Sequence, residues 1–305
     1  MKAELLHVVT AIFNPMGWES RIRLYRDFEG HMLASGVRLT TVECVLGDRP
    51  HVLDGTPGVN HIAVRSATLL WNKENLLNLG ISRLPEDWKH LAWIDADVRF
   101  RNPIWAAETV SQLQQYDVLQ PWSDCYDLGP KGEHAAHHRS FCRQWWNGAP
   151  TGPSQCYTFA HPGYAWAANR RAIDAVGGLM ETAAAGAGDH HMALALIGKV
   201  RMSVPKGISP GYLRPLVQWQ QRAVRDINFN IGYLEGSTIE HSWHGRKGDR
   251  KYIERWDILT RHGFDPDTDI KRNSWGVLEL AGNKPALRHD IDIYFRQRNE
   301  DANCM

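Results

Sequence analysis

The sequence predicts an α/β protein with a mostly parallel central sheet flanked by helices. Three observations carry this. Apolar, β-branched runs alternate with helically spaced segments from Leu5 to Pro121. One of those runs closes on two aspartates, Asp95 and Asp97, and the alternation resumes at Gly163 after an irregular break. Such alternation builds parallel sheets through right-handed crossovers.

The elements follow in order. Leu5 to Phe13 is apolar and β-branched, stops at Asn14-Pro15, and reads as a buried strand. Trp18 to Ser35 places Ile22, Leu24, Tyr25, Phe28, Met32 and Leu33 at helical spacing, closed by Gly36. Val37 to Leu46 and Asn60 to Val64 read as strands, and Trp71 to Leu79 as a helix ended by Gly80. Trp88 to Arg99 reads as one strand through both aspartates. Ile104 to Gln115 is a helix, and Val118 to Pro121 a strand end. Ser123 to Gln155, rich in Gly, Pro, His and Trp, is expected to be a long irregular and functional segment. Strand Gly163 to Ala168, helix Arg170 to Val176 and helix Asp189 to Ile197 follow. The domain is expected to span 1–262, with 263–305 an extension packing on or beside it.

Composition excludes little. The 305 residues suffice for a large core, and 43% hydrophobic with 23% charged content is ordinary for a soluble chain. A net charge of +1 gives no global pull toward nucleic acid or membrane. Cys44, Cys125, Cys142, Cys156 and Cys304 form no C-x-x-C pair and read as reduced thiols. No apolar run approaches the ~18 residues of a membrane span, and the first residues lack a signal peptide's apolar core. A cytoplasmic protein with no membrane association is expected. The 13 Trp and 15 His either pack or offer faces for sugar rings and bases.

Chemistry concentrates in four blocks. In Leu91-Ala92-Trp93-Ile94-Asp95-Ala96-Asp97 an apolar strand ends in two carboxylates. Ligands in open α/β sheets bind outside the carboxyl ends of strands. Two adjacent carboxylates repel unless a cation offsets them, and hard oxygen ligands suit Mg²⁺ or Mn²⁺. The bland alternative is a capping pair before Pro103-Ile104. Gly186-Ala187-Gly188-Asp189-His190-His191 offers Asp189 either as a general base or as a helix N-cap, with His191 a second candidate base. His241 and His244, spaced as H-x-x-H, suit a metal or a surface pair. Arg246, Lys247 and Arg250 follow as diphosphate ligands. Glu133-His134-Ala135-Ala136-His137-His138 reads as a solvated loop, and with Trp145 and Trp146 as a lid.

Together these blocks resemble the GT-A superfamily of nucleotide-sugar glycosyltransferases. Trp71-Asn72-Lys73-Glu74-Asn75-Leu76-Leu77-Asn78-Leu79-Gly80 resembles the F-N-R-x-x-L-L-N-x-G stretch of β-1,4-galactosyltransferase-like enzymes. Gly163 to Leu179 resembles the segment that packs beneath the acceptor. Ile239-Glu240-His241-Ser242 resembles I-R-H-S, whose histidine completes the metal shell. The resemblance implies transfer from a nucleotide-diphosphate sugar, a UDP-sugar, to a hydroxyl acceptor, with Mn²⁺ or Mg²⁺. It implies metal ligands Asp95, Asp97, His241 and His244, with Asp97 the direct one and Asp95 facing the ribose or a metal-bound water. Donor contacts would be Thr10, Phe13, Asn14, Asn72, Lys73, Asp95, Arg246, Lys247 and Arg250. Acceptor contacts would be Trp122, Asp124, Trp146, Tyr164 and Trp166. One acid followed by two histidines departs from the family's G-x-x-E-D, so the stereochemical outcome stays open.

The acceptor would be a saccharide or a modified DNA base. Between Lys199 and Arg261, 12 Lys/Arg face 6 Asp/Glu with Trp219, Trp243 and Trp256 interleaved, which suits a nucleic-acid surface. The segment Ile291 to Asp301 and H-S-W-H-G also resemble phage-encoded proteins, which implies a hydroxymethylpyrimidine DNA glycosyltransferase as the alternative. A nucleotidyltransferase would place a Gly-rich phosphate loop after the first strand, where Phe13-Asn14-Pro15-Met16-Gly17 stands instead. A carbohydrate-binding protein without catalysis would have no use for the paired carboxylates.

Overall fold

The computed structural model describes residues 5–53, 55–149 and 160–301, except the side chain of Lys247. The chain is a mixed α/β protein with a seven-stranded central sheet flanked by helices. Its strands are β1 (Leu6–Phe13), β2 (Arg38–Leu46), β3 (Val59–Ser66), β4 (His90–Ile94), β6 (Val118–Gln120), β9 (Ala165–Asn169) and β10 (Ile231–Tyr233). They lie in the order β10-β6-β9-β4-β1-β2-β3. All neighbours are parallel except β9, which runs antiparallel to β4 and β6.

The strand sequences explain the placement. β1 and β4 are mostly apolar and almost wholly buried, as strands covered on both faces of a sheet are. Alternate residues then serve opposite layers. Val9, Leu91, Trp93 and Trp166 face one core, where Trp93 and Trp166 stack at 6.4 Å. Val8, Ile12, Ala92 and Ile94 face the other. The second core is closed by α1 (Glu19–Ala34) and α3 (Trp105–Gln112) through Tyr25, Phe28, Met32 and Trp105. The first is closed by α2 (Lys73–Ile81), α5 (Arg170–Val176), α6 (Gly188–Leu196), α7 (Pro210–Asp226) and α10 (Pro285–Gln297). Helix α2 lies flush on the sheet because Gly80 has no side chain. A Cβ there would stand 2.5 Å from Val9 and 3.0 Å from Val42.

Two expectations change. Trp88 to Arg99 is not one strand. It breaks at Asp95-Ala96-Asp97, and β5 (Val98–Phe100) continues into a different sheet. Ser123 to Gln155 is not irregular where described. It holds β7 (Asp124–Leu128), β8 (His134–Arg139) and α4 (Phe141–Trp146), while residues 150–155 lie outside the described part. The hairpin carries no sequence signal because β8 is an edge strand of exposed and half-buried His and Ala, without an apolar alternation. A four-stranded sheet, β5-β11-β7-β8, results, where β11 is Thr238–His241. A small ribbon of β12 (Ile270–Arg272) and β13 (Leu278–Leu280) stands apart, and the short helices α8 (Arg255–Arg261) and α9 (Pro266–Asp269) precede it.

The C-terminal segment packs into the main core through Leu280, Leu287, Ile291 and Phe295. It also caps α1. Trp18, at the N-cap, supplies no side-chain bond, and the Asp301 carboxylate accepts from the Glu19 and Ser20 amides at 3.1 and 2.9 Å. A carboxylate there satisfies orphan N–H groups and complements the helix dipole. Cys44, Cys125 and Cys142 are buried free thiols, while Cys156 and Cys304 lie outside the described residues. Among described residues, no helix is long and apolar enough to cross a membrane.

Candidate active site

The two sheets meet at the carboxyl end of β4, over a cavity of about 410 Å³. The turn from Asp95 to Asp97 bridges them. Its first amide donates to the Tyr164 carbonyl at 2.8 Å, and the Val98 amide donates back to Asp95 at 3.2 Å. Register then does the rest. β11 pairs antiparallel with β5, setting His241 opposite Val98, and parallel with β7, setting His241 opposite Asp127. His241 therefore stands between two carboxylates. The Ser242 amide bonds the Asp97 carbonyl at 2.9 Å and turns the chain so that His244 returns to the same point.

Asp97, His241 and His244 are buried, with ligand atoms within 4.8 Å of one another. His241 Nε2 is 3.6 Å from Asp97 Oδ1, His244 Nε2 is 3.1 Å from Oδ2, and the two Nε2 atoms are 3.3 Å apart. Each imidazole is held from behind. His241 Nδ1 is 2.8 Å from Asp127, and His244 Nδ1 is 3.3 Å from Glu300. A carboxylate on Nδ1 orients the ring and leaves Nε2 to ligate, as in metal-bound histidines. Asp127 is itself fixed by the Tyr164 hydroxyl at 2.8 Å and by His138 at 2.7 Å. Asp97 Oδ1 is buried with no hydrogen-bond partner. Burial, with the Arg250 and Arg21 guanidiniums nearby, lowers the His244 pKa well below its ordinary value, so the ring is neutral. Burial alone would raise the Glu300 carboxyl, but Arg21 and the hydrogen bond to His244 hold it well below its usual range. This donor set fits a divalent cation of mixed oxygen and nitrogen preference such as Mn²⁺.

A second cluster lies beside the first. Lys73 Nζ bridges Asp95 at 2.5 Å and Asp189 at 2.8 Å. Burial opposes its charge, yet the two carboxylates hold its pKa well above the ordinary value. Burial raises Asp189 above the usual carboxylate range against the pull of Lys73. Burial also pushes neighbouring Glu74 up to about 8. Asp189 is in the first turn of α6, after Ala187 at the N-cap, and its carboxylate is turned to Lys73. Asn72 is the N-cap residue of α2 but makes no capping bond, and both polar atoms of its side chain lack partners. Tyr164 and Ala187 line the cavity with φ of 76° and 82°. Non-glycine residues in that region store strain, which concentrates at functional sites.

Of the residues singled out from sequence, the structure gathers Phe13, Asn72, Lys73, Asp95, Asp97, Tyr164, Asp189, His241, His244 and Arg250 around this cavity. Asp95 pairs with Lys73 and stands outside the group of Asp97, His241 and His244. Others lie elsewhere. Thr10 is fully buried and donates to the Ile94 carbonyl, tying β1 to β4. Asn14 binds the Trp18 backbone and borders a separate cavity of about 630 Å³. Trp122 and Trp166 are buried, their indoles donating to Ala165 and Pro162. Asp124 pairs with His137 and Arg143. Trp146 is half exposed, its indole on the Ile231 carbonyl. Arg246 is exposed at the N-cap of a short 3₁₀ turn, Lys247–Arg250, and the Lys247 side chain is not described. Arg21, Asp127, Arg255 and Glu300 join the site without a sequence signal beyond residue type.

His191 does not reach the cavity. It is fully buried, 2.6 Å from Ser203 Oγ and 2.9 Å from the Tyr212 hydroxyl, where it ties α6 to the segments that follow. Burial first, then the neighbouring His190 and the Arg255 guanidinium, lowers its pKa well below the ordinary value. Burial and Arg255 lower His190 to about 4. Both rings are neutral when folded and protonate more readily when unfolded, near pH ~6.5. Their stabilisation is complete above that pH and is lost as pH falls toward the folded values. The urea midpoint should therefore drop between about pH 7 and about pH 5; a level midpoint would refute neutral buried rings.

No protein-family model matches the chain, and no curated protein does either. Solved structures resemble it in part. A Drosophila β1,4-galactosyltransferase 7, crystallised with manganese, UDP-Gal and xylobiose, is 13% identical. It aligns over 90% of this chain and 92% of its own, with TM-score 0.43. S. aureus TarS in complex with UDP-GlcNAc is 10% identical over 80% of this chain and 60% of its own, with TM-score 0.45.

Proposed function

We propose that this protein is a metal-dependent glycosyltransferase that moves a hexosyl or pentosyl group from a UDP-sugar to a hydroxyl of a saccharide acceptor. The observation that carries the reading is the convergence of Asp97, His241 and His244, each histidine anchored by its own carboxylate, at the carboxyl end of a parallel strand. Mn²⁺ held there would act as a Lewis acid on the departing diphosphate. Arg250, 2.9 Å from His244 Nε2, and Arg21, 3.6 Å from Asp97, flank that point and would bind phosphate oxygens. The sugar would lie toward Asn72, Lys73 and Asp189. Asp189 would take the proton of the acceptor hydroxyl, and Lys73 would hold its carboxylate in place until then. Tyr164, which lines the cavity, would contact the acceptor.

Calorimetry with UDP tests the reading directly. UDP should bind at least about tenfold more tightly with Mn²⁺ than with chelator, a difference of roughly 1.4 kcal/mol. Equal affinity in the two conditions would remove the metal from the proposal.

A further inference from the structure

The cavity contains a cation that the reaction proposed above leaves unused. Arg255, at the start of α8, is 4% exposed and lines the cavity. Its Nε has no hydrogen-bond partner, and no carboxylate pairs with it among the described residues. The other cations differ. Lys73 is held by Asp95 and Asp189, Arg21 and Arg298 by Glu300, and Arg250 lies on His244. A buried guanidinium without an anion carries a desolvation cost that a ligand's charge would offset.

The surroundings of Arg255 are built to hold it in place. Its guanidinium lies 5.0 Å from the centroid of the Tyr252 ring. It also meets Gly186, where a Cβ would stand 2.6 Å from Nη1 and 3.5 Å from Trp71. Gly186 also has φ +90°, a backbone conformation that favours glycine. Within the same cavity stands Asn72, 2% exposed, with an unpartnered amide donor and carbonyl acceptor. Glu74 Oε2 is likewise buried without a partner. Diphosphate oxygens would be met by the metal, Arg21 and Arg250, which leaves Arg255 for a different anion.

Resting on the transferase reading, we propose that the donor sugar carries a carboxylate, as in a hexuronic acid, and that Arg255 binds it while Asn72 reads a neighbouring hydroxyl. Arginine suits this because its planar fork pairs with a carboxylate through two parallel hydrogen bonds.

The test compares UDP-glucuronate, UDP-glucose and UDP on the full chain with Mn²⁺. The wild-type protein should bind UDP-glucuronate at least about tenfold more tightly than UDP-glucose. Arg255→Gln should erase that preference and leave UDP affinity within about twofold, with thermal unfolding recorded to verify the fold. Equal wild-type affinities for the two sugars overturn the proposal without recourse to any variant. So does an Arg255→Gln protein that loses UDP affinity as strongly as UDP-glucuronate, since the anion would then be the diphosphate. Absence of Mn²⁺-linked UDP binding in the wild type instead removes the transferase reading, and this proposal with it.

Discussion

Asp97→Ala is expected to abolish Mn²⁺-linked UDP binding, weakening it by at least about 100-fold. Partners that merely orient a metal-bound histidine are worth about 10–100-fold, and a direct ligand is worth more. Asp97 is the only oxygen donor among the three converging groups, and its Oδ1 has no other partner to satisfy. The fold should persist. Arg21 keeps its pair with Glu300, and removing Asp97 deletes a buried acid rather than stranding one. Calorimetry at fixed UDP with increasing Mn²⁺ reads the effect, and unchanged metal dependence would move the metal elsewhere.

Asp189→Asn should separate binding from chemistry. Transfer should fall by about 10²–10⁴, the usual worth of a positioned general base. Donor affinity should change only a few-fold, because the amide is isosteric and Lys73 keeps its contact with Asp95. Single-turnover transfer and UDP-sugar calorimetry on the same preparation give the two readings. Transfer at the wild-type rate would take the base role from Asp189. A loss of donor binding equal to the loss of rate would make it a sugar contact instead.

Much of this site was legible in sequence because its parts are local. A strand that is apolar on both faces and then stops at two carboxylates is a one-dimensional pattern. So is a helix whose first residues, Asn72 and Lys73, are polar while Leu76 and Leu77 are buried. Asp97, Asp189, His241 and His244 each sit at such a junction. Residue type alone misplaces the aromatic contacts. Trp122 and Trp166 are large apolar bodies whose single N–H found a backbone carbonyl inside the core, which suits indole at least as well as a sugar does. His191 failed for a related reason: it follows Asp189 by two positions, about 200° around the helix, so it points into the core instead of the cavity.

The alternation of strands and helices, the apolar layers on both faces of the sheet, and the polar residues at strand and helix ends are written in the local sequence, because each depends on neighbours within a few positions. Which of those residues meet depends on long-range packing. The break of β4 into a second sheet set His241 opposite Asp127 and beside Asp97. The return of the C-terminal segment capped α1 with Asp301 and delivered Glu300 to His244 and Arg21. It is strand register and the packing of distant helices that bring such groups together, and neither leaves a periodic trace in the local sequence.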